Sequence, residues 1–194
     1  MSTSAQDSAA PRRKRADAVR NTESVLEAAK TAFAESGVDA PMRDIAARAG
    51  VGVGTIYRNY PKRSDLIIAV FRREVDATAA EAERLAGEYP PPEALRLWIA
   101  RFANFVATKR GFASALHSGD PAYQPLPGYF VGTLAPKVQG ILDAGAEEGS
   151  IRSDVLAGDL INALSRLASD SPGSAGDRTT RMTDVLLDGL LVQR

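Results

Sequence analysis

The chain has 194 residues, 44% hydrophobic and 25% charged, which suits one medium folded domain or a small domain joined to a larger one. It has no cysteine, which excludes disulfides and thiolate zinc sites, and its single histidine, His117, excludes His-rich metal sites and paired-histidine catalysis. The formal net charge of +0 hides a gradient: residues 1–64 hold 11 Lys+Arg against 7 Asp+Glu, and the remainder 13 against 17, so the amino-terminal end is the one suited to a polyanion.

In chain order, residues 1–20 read as a flexible basic arm with "PRRKR" at its centre. The segment is polar and lacks the apolar core of a signal peptide, and no apolar run in the chain approaches the length of a membrane span. A cytoplasmic protein with no membrane partner is therefore expected. Asn21 is a candidate helix cap, followed by the stripe Val25, Leu26, Ala29 and Phe33 and a stop at Gly37. Met42, Ile45, Ala46 and Ala49 predict a second helix over 42–49, with Asp44 in its first turn and Gly50 at its end. A third helix is expected over 53–60, ended by Pro61. Ser64 is read as the cap of a longer helix over 64–86 with the stripe Ile67, Val70, Phe71 and Val75. "GEYPPP" breaks it, and the next helix carries Leu95, Trp98, Phe102 and Phe105. "SGDPAYQPLPG" reads as loop, and helices resume over about 129–148, 154–168 and 178–192. The fold class is all-α.

The chemistry concentrates at "MRDIAARAGVGVGTIYRNY", 42–60. Helix, glycine break and short helix make a helix-turn-helix, with Gly50 supplying the left-handed turn and Val51 the apolar plug. Gly54 costs its helix about 1 kcal/mol relative to alanine; close approach of the backbone to a DNA phosphate or base edge is a compensating reason. Ile56 and Tyr60 can anchor the helix, leaving Thr55, Tyr57, Arg58 and Asn59 outward with a guanidinium able to fork onto guanine. Val53 can touch a thymine methyl. Lys62 and Arg63 follow at once.

At these residues the sequence resembles the tetracycline-repressor-type (TetR) family of transcriptional regulators, through "VLEAAKTAFAESG", "MRDIAARAGV", "GTIYRNYPKRSDL" and "AVF". The run Gly54-Thr55-x-Tyr57-x-x-Tyr60-Pro61-x-x-x-x-Leu66 carries it most specifically. The resemblance implies a three-helix DNA-binding domain over 21–64, followed over 65–194 by a roughly six-helix domain for ligand binding and dimerisation. It implies that Thr55, Tyr57 and Tyr60 face phosphates, that Arg43, Arg58 and Asn59 read bases or lie beside them, and that Lys62 meets the backbone. Gly52, Val53 and Pro41 stand where the family often has a hydroxyl residue, a polar or basic residue and a hydroxyl cap.

The implied partners are a near-palindromic double-stranded operator, a second copy of the chain and a small-molecule effector, apolar or aromatic in kind. The aromatic side Trp98, Phe102, Phe105 and Phe130, with Phe71, Val75, His117 and Tyr123 or Tyr129, is the candidate ligand pocket; a plain core explains such a stripe equally well. Met182, Val185, Leu186, Gly189 and Leu190 make one apolar side of the last helix; with Leu160 and Leu164 they are the candidate dimer interface that the resemblance implies, an intramolecular core being the alternative. Catalysis is not expected and no cofactor is required: Glu147 and Glu148 are adjacent and diverge on a helix, and no nucleophile elbow is present. The function expected is a ligand-responsive repressor; the alternative is a helical interaction or small-molecule-binding module without DNA binding.

Overall fold

The computed structural model describes residues 9–109, 112–116, 118–169 and 176–192. The chain divides into two compact units, Met1–Val70 and Phe71–Arg194. The dividing point falls inside a helix, six residues beyond the expected boundary after residue 64.

In the first unit α1 runs Ala9–Ser36, α2 Met42–Ala49 and α3 Val53–Asn59, and α4, Arg63–Glu88, begins there. The core is Val25, Ala29 and Phe33 of α1, Met42, Ile45 and Ala46 of α2, Ile56 of α3 and Leu66, Ile67 and Val70 of α4. Two expectations are corrected. Asn21 is not a cap, because α1 begins twelve residues earlier at Ala9; the arginines, lysine and alanines of 12–20 favour helix, and Pro11 lies in the first turn, where a missing N–H costs nothing. Ser64 lies inside α4, and the carboxylate of Asp65 closes that helix start instead, accepting from the Lys62 backbone N–H at 2.9 Å.

The break after α2 is built by backbone geometry. Gly50 has φ 68, its N–H donates to Ala47 O, and the Val51 N–H donates to Ala46 O at 3.0 Å. This paired arrangement satisfies the last carbonyls of α2 and turns the chain into α3 within two residues.

The second unit holds the rest of α4, then α5 (Pro91–Lys109), α6 (Ala113–Leu116), a 3₁₀ turn (Pro121–Tyr123), α7 (Leu126–Glu147), α8 (Ala157–Ser169) and α9 (Gly176–Leu190). The expected loop over 118–128 thus contains a turn, capped by Asp120 accepting from the Ala122 N–H at 2.9 Å. α5 packs on α7 and α8, α7 on α8, and α8 on α9. Pro136 interrupts the hydrogen-bond ladder of α7, but it and Gly132, whose carbonyl loses its partner, both lie on the exposed face, so that oxygen is not shut away from solvent.

The end of α9 is tied back to the turn after α7. Ile151 and Leu191 form an isolated antiparallel bridge, with Arg152 N–H on Leu190 O and Val192 N–H on Ser150 O, each 3.0 Å. Gly145 makes this possible: a Cβ there would lie 2.5 Å from Ile151 Cδ1. Among the described residues no helix is long and apolar enough to cross a membrane.

Candidate nucleic-acid interface

α3 is seven residues long, and one buried side chain holds it: Ile56 is 0% exposed. A helix this short gains little from its own hydrogen bonds and depends on packing. With Ile56 inward, Val53, Gly54, Tyr57, Arg58 and Asn59 are exposed, and Thr55 and Tyr60 are half-buried. Arg43, on the first turn of α2, has an 85% exposed side chain, and Lys62 is exposed beyond α3. The expected contact residues therefore all lie on the first unit, displayed by α2, α3 and the turn that follows.

The polar groups of α3 are ordered along the helix. Arg58 Nε donates to Gly54 O and its Nη2 to Thr55 Oγ1, each at 3.3 Å, while Asn59 Nδ2 donates to Thr55 O at 3.2 Å. These contacts are long and solvent-facing, so a better acceptor can replace them at little cost.

The cations of the unit divide by role. Arg63, counted with Lys62 in the sequence, sends one guanidinium nitrogen to Val38 O and Ala40 O, both at 2.7 Å, and so fastens the start of α4 to the loop before α2. Arg48 pairs with Glu35 across α2 and α1 at 2.6 Å, and its hydrogen bond and charge hold the Glu35 carboxyl below its ordinary range. Neither role is visible in sequence spacing, since each partner lies more than ten residues away. The side chains of Arg12, Arg13 and Lys14, and all of His117, lie outside the described residues.

In the second unit the expected pocket residues Phe71, Trp98, Phe102, Phe105 and Phe130 come together, all buried, and Val75 is buried as well. Trp98 stacks on Phe102 at 5.0 Å and Phe105 on Phe130 at 5.9 Å, and Phe71 meets Phe105, Phe112 and Phe130 at 6.2–6.5 Å. Phe112 belongs to this cluster and was absent from the sequence-based set, because it lies outside any periodic stretch. The Trp98 indole donates to Thr78 O at 3.1 Å. Tyr129 turns away to the surface, donating to Asp76 under the Arg72 guanidinium, and that hydrogen bond raises the phenol's pKa.

The expected interface set divides. Leu160, Leu164 and Leu190 are buried within the chain, with Leu187, which the sequence reading passed over. Met182 and Val185 are 44% and 61% exposed, Gly189 is exposed and Leu186 half-buried. The single apolar side expected of α9 is therefore two sides, one facing the core and one facing out. A groove of about 420 Å³ between α8 and α9 is lined by Leu160, Val185, Leu186, Gly189 and Leu190 together with Arg152, Val155, Asp159 and Ala163.

Known proteins match both units. The family of bacterial regulatory proteins of the tetR type matches residues 25–70, and the C-terminal domain of SbtR-like transcriptional regulators matches residues 90–192, more than half of the chain. A TetR transcriptional regulator from Streptomyces coelicolor is 37% identical, with 89% of this chain and 99% of that one superposed at a TM-score of 0.75. A TetR transcription regulatory protein from Mycobacterium vanbaalenii is 33% identical over 92% and 99%, with a TM-score of 0.72. HTH-type transcriptional regulators of Staphylococcus aureus are 33–34% identical over 76 residues, which span 39% of this chain and 41% of theirs.

Proposed function

Because the chain belongs to the TetR family of bacterial regulators, we propose that it is a sequence-specific DNA-binding transcriptional regulator, a ligand-responsive repressor that acts as a homodimer on a near-palindromic operator. The observation that carries the reading is α3: one buried isoleucine fixes the helix, and its remaining surface offers Thr55, Tyr57, Arg58 and Asn59 around a bare Gly54. A helix of this kind enters the major groove, where Arg58 can take guanine O6 and N7 and Asn59 can take adenine N6 and N7. Thr55, Tyr57, Tyr60 and Lys62 are assigned to phosphates, which fix register without reading sequence. Arg43 reaches a base or the adjacent backbone from α2.

Dimerisation is assigned to the outward side of α9, where Met182, Val185, Leu186 and Gly189 leave apolar surface uncovered. A bare Gly189 lets a second helix approach closely. The effector, apolar or aromatic, is assigned to the aromatic cluster around Trp98, Phe102, Phe105 and Phe130, whose stacked rings give an apolar guest flat surfaces to replace. It releases DNA only if it binds the non-DNA conformation more tightly. The protein works in the cytoplasm, without catalysis or cofactor.

The test is selection of bound duplexes from random DNA, followed by affinity measurement across salt. A repressor of this design selects two inverted half-sites, with centres about 34–36 Å or a multiple apart, and its affinity falls steeply with ionic strength. A module that binds no DNA shows no retention even at low salt.

A further inference from the structure

We propose that Val53 reads the 5-methyl group of a thymine in each half-site, its isopropyl group presented between two bare backbone positions, Gly52 and Gly54. The inference rests on the DNA-binding reading above and names one letter of the recognised sequence.

Three observations converge on it. Val53 is 43% exposed on a helix whose one buried side chain is Ile56, so its side chain leaves an apolar group in water amid hydrogen-bonding neighbours. Its flanking glycines answer no need inside the protein. Gly52 has φ −71 and ψ 144, which any residue adopts, and Gly54 sits within α3, where glycine weakens a helix. A Cβ built at either position meets nothing within 4 Å. The space left by the two absent side chains therefore opens outward. A surface closing on α3 can reach the backbone on both sides of Val53 and leave the isopropyl group as the projecting contact.

Groove chemistry then selects the partner. The major-groove edges of guanine, adenine and cytosine offer nitrogen and oxygen donors or acceptors, whereas thymine adds a methyl group. An isopropyl group pressed on N7, O6 or N4 would strip water from a polar atom and return no hydrogen bond. Against a methyl, both surfaces leave water together.

The experiment uses the full chain and a duplex it has selected. Each thymine of one half-site is replaced in turn by deoxyuridine, which removes only the methyl group, and the dissociation constant is read by fluorescence anisotropy. One position per half-site should weaken binding about fourfold, the worth of one buried methyl-sized group. Val53→Ala, with an unchanged thermal melt, should bind the thymine and uracil duplexes equally. Arg58→Ala should keep the full thymine-to-uracil ratio. A flat uracil scan, or a ratio that survives in Val53→Ala, overturns the inference while leaving DNA binding intact. Failure to select any duplex overturns the DNA-binding reading itself, and this inference with it.

Discussion

The two units solve opposite problems with similar residues. The first keeps one apolar residue of α3 inside and spends the rest of the helix on display. The second draws its phenylalanines and its tryptophan inward until they touch one another, and leaves apolar groups outside on α9 and at Leu156 and Val192. In the first unit exposure marks the candidate site; in the second the candidate ligand site has the same burial as the core. A substitution on α3 should therefore change recognition at little expense in stability, whereas one in the aromatic cluster cannot separate the two.

Phe102→Ala is the strongest way to break that contrast. Phe102 is 1% exposed and meets Trp98, Phe105 and Phe130. Its truncation should cost about 3–5 kcal/mol in urea unfolding followed by Trp98 fluorescence. A cost under about 1 kcal/mol would mean that the cluster tolerates empty space, as a ready pocket does. Next in size is Val185→Asp, which places a charge on the outward side of α9. Light scattering should then report monomers with unchanged helical content, and operator affinity should fall at least tenfold. A dimer that survives would move the interface off this side.

Arg58→Ala and Lys62→Ala sharpen the comparison within α3 and its margin. Arg58→Ala should cost about 1–3 kcal/mol on the selected operator and relax one position of each half-site. Lys62→Ala should weaken all duplexes alike and reduce the salt slope by about one unit. Equal loss on operator and random DNA for Arg58→Ala would place that guanidinium on phosphate.

The smallest effect concerns Glu35. Arg48 depresses its pKa in the folded chain, so the pair contributes stability above the unfolded carboxylate value, and the contribution disappears as pH falls through the folded value. Glu35→Gln should melt slightly below the parent at neutral pH, with the gap closing in acid. A gap that persists in acid would assign the difference to packing.

How much was legible in the sequence follows the same division. The bounds of α2, its left-handed stop at Gly50 and the inward Ile56 were readable because an eight-residue helix with one glycine break leaves few alternatives. The start of α1 was missed because Asn21 is a good cap wherever a helix needs one, and nothing before it breaks the helix. Arg63 was grouped with Lys62 because adjacent charges look alike until a fold gives one of them two carbonyls. On α9 the period admits Leu187 and Leu190 on one side and Met182, Val185 and Gly189 on another. Only the packing of α8 decides which is core. Phe112 carried no periodic signal at all.

The clasp at the end of α9 reaches further than its size suggests. The space beside Gly145 is filled by Ile151, the backbone of Ile151 pairs with Leu191, and Arg152 donates to the carbonyl of Leu190. One hydrogen atom on Gly145 thus fixes where the last helix stops. Gly145→Ala would insert a methyl group into the Ile151 side chain and press on the bridge, more than forty residues along the chain from Leu191. The face that carries Val185 and Gly189 would lose its terminal fastening without any change to its own residues. Drift at a position that belongs to neither candidate site would then surface as an assembly defect.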